Sequence, residues 1–429
     1  MDTVKRKILG EIFEWLDSPH LLVIHGARRA GKTTLMNQIQ DHLQTKGYDV
    51  VYLAVDQMLF EPWLKDPLSL ENWLRHEGHL NEGRLYLLLD EAQYLPDTGL
   101  FLKVLYDRLS PHAKIIISGS SSLELGRTKE FLTGRKIEFT LERFSFLEFI
   151  SLKYHKHFVE HAPFDNVGQL QEVYQLYHRD LEQLLVEYIT WGGYPEVALE
   201  QNVNRKDRIL REILSVYLEK DISAFLRIRH VGSFNNLIKI LASQTGGLVN
   251  KTELSNTLGM RFETVNSYLN ILENTFVFSL LKPYFKNVRK EISKSPKVYA
   301  RDFGIIYYTL KRRFDDYQFI PGDLVENFVY RELLERFDAK EVHFYRTLAG
   351  GEIDFVVPAG TKTWVVESKF RTQKRFPKAM KNFMDNYRDT EVIPIIITKD
   401  ILAQDKGVLF LPAVCLPLWK WGEGKEARG

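Results

Sequence analysis

The sequence predicts an α/β protein: a parallel sheet built around a phosphate-binding loop, followed by a helical block, a helix-turn-helix and a second α/β unit. Three observations carry that reading. Over residues 20–145, short uninterrupted apolar runs alternate with helical stretches, the pattern of strands covered on both faces. A glycine-rich loop, Gly26-Ala-Arg-Arg-Ala-Gly31-Lys32-Thr33, lies between the first such run and a helix. Strand-like runs alternating with helices return after about Pro321.

Length and composition set the frame. At roughly 150 residues per domain, 429 residues ask for two to four domains. With 45% hydrophobic and 27% charged residues the chain is globular in composition, and 58 basic against 56 acidic side chains leave only +2. The single Cys415 has no partner for an internal disulfide and the chain lacks the thiols for a cysteine-based metal cluster. A cytoplasmic setting is the expectation. No signal-peptide core and no window of about 20 apolar residues is present, so no membrane association is expected.

Taken in order, HLLVIH is the first strand, KTTLMNQIQDHLQTKG the helix after the loop, and DVVYLAV, RLYLLLD, AKIIIS and KIEFTL the further strands. The loop fits G-x-x-x-x-G-K-[ST] at every fixed position. Its backbone N–H groups and the following helix N-terminus suit phosphate, with Gly26, Gly31, Lys32, Thr33 and Thr34 as nucleotide contacts. Lys32 reaches the β/γ-phosphates and the Thr33 hydroxyl ligates Mg²⁺. Some sixty residues on, a strand ends in Asp90-Glu91: Asp90 holds the Mg²⁺ through water and Glu91 polarises the attacking water as general base. The next strand ends in Ser118-Gly-Ser120-Ser121, where Ser118, with Ser120 second, is placed to meet the γ-phosphate or its water. Arg135, just before the fifth strand, is a candidate arginine finger into a neighbouring subunit.

This order of phosphate loop, Asp-Glu strand, serine-bearing strand and pre-strand arginine resembles the AAA+ ATPase superfamily. More narrowly, GARRAGKTTL, LLLDEAQ, SGSSS, FLTGR and WGGYP look like the prokaryotic ATPases that join an AAA+ module to a C-terminal domain of unknown function. The resemblance implies a five-strand sheet with the phosphate-loop strand central, ATP and Mg²⁺ as cofactors, and homo-oligomeric assembly. No lid arginine stands out; Arg205, Arg208 and Arg211 are candidates.

Residues 146–231 read as a helical lid, broken by WGGYP at 191–195, and residues 232–300 as a winged helix. Within the latter, KTELSNTLG and RFETVNSYLNILENT form a helix, glycine turn and second helix, with Leu254, Leu258, Val265, Tyr268, Leu269 and Leu272 facing a shared core. The second helix is a poor base reader, carrying Arg261 against Glu263 and Glu273. Basic charge gathers instead in Lys282–Lys297, where Lys282, Lys286, Arg289, Lys290, Lys294 and Lys297 oppose Glu291, a net +5 suited to a phosphate backbone. That segment makes nucleic acid, DNA before RNA, the expected partner.

In residues 301–429, GEIDFVV and TWVVESKF read as neighbouring strands carrying Asp354 and then Glu367-x-Lys369, with Glu326 on the helix before them. Two such carboxylates can hold Mg²⁺ or Mn²⁺, and Lys369 can activate water or stabilise a charged transition state. The arrangement resembles the PD-(D/E)xK restriction-endonuclease-like superfamily, in which Glu326, Asp354, Glu367 and Lys369 match the metal-binding and catalytic motif. It implies a nuclease-like domain that either cuts phosphodiesters in an ATP-driven machine or only binds partners in a nucleotide-switched assembly.

Overall fold

The structure, a computed structural model, describes all residues except 1–3, 5, 82, 111, 120–133, 155, 219–230, 285–293, 348–349, 388–389 and 423–429. Ser120 and Ser121, and Lys286, Arg289 and Lys290 of the basic segment, therefore lie outside the described residues. The chain divides into two compact units, one of residues 1–143 with 274–276, the other of residues 144–273 with 277–429.

The first unit is a five-stranded parallel sheet in the order β2-β3-β4-β1-β5, with β1 Leu21–Gly26, β2 Asp49–Ala54, β3 Leu85–Asp90, β4 Ala113–Gly119 and β5 Lys136–Leu141. Alternation along each strand splits its apolar side chains between two cores. Leu22, Ile24, Leu88 and Ile116 turn to one face, where α1 (Ile8–Glu14) and α2 (Lys32–Thr45) cover them with Ile12, Leu35, Met36, Ile39 and Leu43. Leu21, Val23, Leu87, Leu89 and Ile117 turn to the other, under α3 (Pro67–His76) and α4 (Thr98–Leu109). Continuous apolar runs are what a sheet buried on both faces requires.

The second unit begins with helices Phe146–Lys153, Val167–Trp191 and Val203–Ser215. The first is fixed at its start by a capping box between Ser145 and Glu148. The break at WGGYP has a local cause. Gly192 ends the helix at φ 79°, ψ −173°, a region open only to glycine, and Pro195 starts the next helix at its first position, where a missing N–H costs nothing. Helices Val231–Ser243, Lys251–Leu258 and Phe262–Asn274 follow, then an antiparallel pair β6 (Phe278–Leu281) and β7 (Lys297–Ala300). Leu254, Val265, Tyr268, Leu269 and Leu272 are buried as their spacing requires, while Leu258 is half-buried.

Beyond helices Phe303–Leu310 and Gly322–Leu334 lies a six-stranded mixed sheet, β12-β13-β11-β10-β9-β8, with β8 His343–Arg346, β9 Glu352–Ala359, β10 Lys362–Ser368, β11 Glu391–Thr398, β12 Ala403–Asp405 and β13 Val408–Pro412. Helix Lys378–Asn386 covers one face of it through Met380 and Phe383. One edge is the three-residue β12. The other, β8, has a register shift between His343 and Tyr345, and its Phe344 is bridged by Pro283.

Candidate functional sites

At the carboxyl end of β1 the chain turns through the glycine loop into α2. Gly31 takes φ 97° as the helix cap, and Gly26 is pressed against β5, where a Cβ would stand 2.2 Å from the Leu141 carbonyl oxygen. Lys32 is buried, and its ammonium donates to the carbonyls of Gly26 and Ala27 at 3.1 Å each. Burial pushes this lysine below its ordinary pKa, against the pull of Glu91 and Asp90. Thr33 and Thr34 are exposed on the first turn of α2.

Two strands away, at the same end of the sheet, the buried Asp90 gathers this region together. The Thr33 hydroxyl donates to Asp90 Oδ2 at 2.7 Å and the Tyr52 hydroxyl to the same oxygen at 2.8 Å. Ser118, wholly buried, donates to Asp90 Oδ1. The Glu91 N–H donates to Asp90 Oδ1 at 3.1 Å and lies 3.3 Å from Ser118 Oγ. Glu91 stands in the left-handed region at φ 54°, and Gln93 Nε2 donates to its carboxylate. Thr33, Asp90, Glu91 and Ser118 thus lie together beside the phosphate loop.

Two contributors escape a sequence reading. Tyr52 sits in an apolar strand, where an aromatic reads as core, and Gln93 carries no motif of its own. The DEAQ spacing is the one signal that singles out Gln93. The donor set fits Mg²⁺, which prefers hard oxygens: Thr33 Oγ1 and Asp90 Oδ2 lie 2.7 Å apart beside the phosphate loop.

Arg135 is half-buried at the opposite end of the sheet, its Nε 3.0 Å from Asp107 Oδ1. β5 runs from Lys136 beside Leu21 to Leu141 beside Gly26, five residues or about 17 Å of strand. Arg135 cannot reach the phosphate loop of its own chain. In the second unit, Arg205, Arg208 and Arg211 lie on helix Val203–Ser215, with Arg205 and Arg208 exposed and Arg211 paired with Asp207.

The six-stranded sheet places Asp354 and Glu367 side by side. Ser368 N–H donates to Asp354 Oδ2 at 2.8 Å, Asp354 N–H to Glu367 Oε2 at 3.1 Å, and Lys369 Nζ lies 2.6 Å from Glu367 Oε1. Burial raises the pKa of both carboxyls. Glu326 does not complete this set. Its Oε1 accepts from Tyr299 Oη at 2.5 Å and from Lys297 Nζ at 3.0 Å, and the same ammonium reaches Glu352 at 2.5 Å and Asp354 at 3.9 Å.

Two expectations need correction. Lys297, counted with a solvent-facing basic segment, is buried with 4% of its side chain exposed. Glu326, expected as a metal ligand, is held by a lysine and a tyrosine. Among the described residues, one triple brings His, Cys, Asp or Glu ligand atoms within 4.8 Å of one another, the exposed His157, Glu160 and His161. The trio Glu326, Asp354 and Glu367 does not, and it does not fit a divalent metal as arranged.

Beside Lys369 opens a cleft of about 590 Å³, lined by Lys369, Arg371, Arg375, Lys378 and Lys381 with Phe376 among them. The sequence signal, overlooked beside the +5 segment, is 369–381: six basic residues and no acid.

Comparison with known proteins supports the fold class of the first unit. Residues 18–150 match the family model described as AAA domain; residues 182–316 and 321–416 match two domains of unknown function, DUF8612 and DUF4143. The first unit has an AAA-type P-loop fold, in its sheet order and in that match. Similar curated proteins include an uncharacterized protein of Haemophilus influenzae, 26% identical over 90% of this chain and 91% of that one. An uncharacterized protein of Methanocaldococcus jannaschii is 26% identical over 97% and 91%. Among solved structures, the replication initiator DnaA bound to AMPPCP and single-stranded DNA covers 63% of this chain and 90% of its own at 16% identity and TM-score 0.29. A point variant of Thermotoga maritima RuvB covers 68% and 95% at 15% identity and TM-score 0.31. No helix among the described residues is long and apolar enough to cross a membrane.

Proposed function

We propose that the chain is a Mg²⁺-dependent ATPase whose nucleotide cycle acts on bound nucleic acid, DNA before RNA. The observation that carries the ATPase reading is the convergence of Thr33, Tyr52 and Ser118 on the Asp90 carboxylate beside Lys32. Mg²⁺, held by Thr33 and Asp90, would neutralise phosphate charge. Lys32 exchanges the carbonyls of Gly26 and Ala27 for phosphate oxygens, Ser118 holds Asp90 in orientation, and Gln93 aims Glu91 at the attacking water. Glu91→Gln keeps ATP affinity within about threefold and lowers turnover by about 10²–10³, as loss of a general base does. A Glu91→Gln protein that turns over at the wild-type rate would remove Glu91 from this role.

Arg135 acts on the nucleotide of a neighbouring copy in this reading, since its own loop is out of reach. Arg135→Ala and Lys32→Ala are each inactive alone, and mixing them regains activity, because each supplies what the other lacks. No regain on mixing, with assembly confirmed by light scattering, refutes the role.

Nucleic acid binding is supported by the basic cleft beside Lys369, with helices Val231–Ser243, Lys251–Leu258 and Phe262–Asn274 and strands β6 and β7 serving as a winged helix. Each phosphate contact adds about 0.9 to the slope of log affinity against log salt. Arg371→Glu with Lys378→Glu therefore weakens duplex binding at least tenfold and flattens that slope by about 2, as read by fluorescence anisotropy. An unchanged slope places the DNA elsewhere.

A further inference from the structure

Phosphodiester cleavage at Asp354, Glu367 and Lys369 asks for a divalent cation on the carboxylates, and the structure supplies another cation there. Lys297 and Tyr299 are two apart on β7 and share one face of it. Both meet Glu326 Oε1, and the lysine also reaches Glu352 and Asp354. An ammonium offers three donors and here faces three carboxylates.

The strand that delivers it is fixed from behind. Asn327, on the same helix as Glu326, accepts from the Ala300 N–H at 2.8 Å and donates to the Ala300 carbonyl at 2.9 Å, setting the register of β7. The Tyr299 ring stacks on Tyr330 at 4.6 Å, and Gly246, at φ 76°, leaves only enough room for the Glu326 carboxylate, which a Cβ would approach to 3.3 Å. A lysine this buried is tolerated only when its charge is paired, and a divalent ion on Asp354 and Glu326 would crowd a like charge against it. The remaining carboxylate, Glu367, already faces Lys369 with one oxygen and the Asp354 N–H with the other.

We propose that Lys297 is the resident cation of this acidic cluster, standing where a divalent metal would lie, so that the native chain holds no divalent metal on Asp354 and its C-terminal sheet binds nucleic acid without cutting it. The binding of nucleic acid rests on the proposed function; the place of Lys297 among the carboxylates does not, and neither the ATPase nor the basic cleft depends on it.

The test is Mn²⁺ titration of the full chain without nucleotide, read by electron paramagnetic resonance, counting only a site that Asp354→Asn removes. Wild type and Lys297→Arg show no such site, and Lys297→Met gains one that is lost in Lys297→Met with Asp354→Asn. A Mn²⁺ site in wild type that depends on Asp354, or wild-type nicking of DNA that depends on Mn²⁺ and Lys369, overturns the proposal. So does a folded Lys297→Met that gains no site. Should Lys297→Met fail to fold, wild type against Asp354→Asn still decides: a difference of one site refutes, no difference upholds.

Discussion

Lys32→Ala abolishes measurable ATP turnover, a loss of more than a hundredfold, while thermal melting of the protein stays close to wild type. The ammonium sits inside the phosphate loop with both hydrogen-bonded carbonyls belonging to that loop. It braces no other element, so its removal spares the sheet. Nucleotide phosphate brings charge into a site where Lys32 is a buried cation facing Asp90 and Glu91. Losing one partner of a desolvated ion pair costs about 3–5 kcal/mol, and each ~1.4 kcal/mol is tenfold in rate or affinity. Lys32→Arg does not rescue, because the larger guanidinium has to enter the same buried space. Turnover of Lys32→Ala at the wild-type rate, in protein free of contaminating ATPase, would sink the phosphate-loop assignment altogether.

Gly192→Ala destabilises the second unit by more than about 3 kcal/mol, through strain in a glycine-only backbone region and a clash that cannot relax. A Cβ there would stand 2.1 Å from Asp302 Oδ1 and 2.7 Å from the Gly304 nitrogen. Asp302 has no freedom to yield, since its two oxygens accept from the Gly304 and Gly193 N–H groups at 2.8 Å each. Gly193 in turn holds the Phe144 N–H at 2.8 Å, and a Cβ on it would meet the Phe144 carbonyl oxygen at 2.4 Å. The sequence WGGYP is thus a latch tying the end of one long helix to two distant turns of the same unit. For a unit of this size ~3 kcal/mol is a fall in melting temperature of at least about 5 °C. A Gly192→Ala protein melting within about 2 °C of wild type contradicts this account.

What the sequence discloses divides by range. The phosphate loop, Asp90, Glu91 and Ser118 are legible because each lies at a strand end set by local apolar periodicity, and a parallel sheet brings all those ends to one side. The same logic recovers Asp354, Glu367 and Lys369, which occupy adjacent strands or the residue just beyond one. Helix Phe303–Leu310 and strand β12 are not legible: the first follows a strand with no turn signal beyond Asp302, and the second is too short to show alternation. Lys297 shows the deeper difficulty. In one dimension it is the last member of a basic run, and nothing local separates a charge that faces solvent from one that enters a cluster of acids contributed by Glu326, 29 positions on, and by Glu352 and Asp354 further still. Tyr52 and Gln93 fail for the same reason, since their value lies in what the fold sets opposite them.

The two borders of the six-stranded sheet bear on what assembly through the AAA modules would mean for the rest of the chain. Gathering several copies into one particle raises the local concentration of their C-terminal sheets, the condition under which open backbone recruits backbone from a neighbour and grows into fibre. At one border a newcomer finds only Ala403–Asp405, ending in an exposed carboxylate; at the other it meets a bulged strand whose Phe344 already exchanges backbone hydrogen bonds with Lys282 and Tyr284. Copies can therefore be crowded together without their sheets fusing, and a chain trimmed of the 282–284 bridge or given a longer, uncharged β12 would be expected to precipitate where the native one stays dispersed.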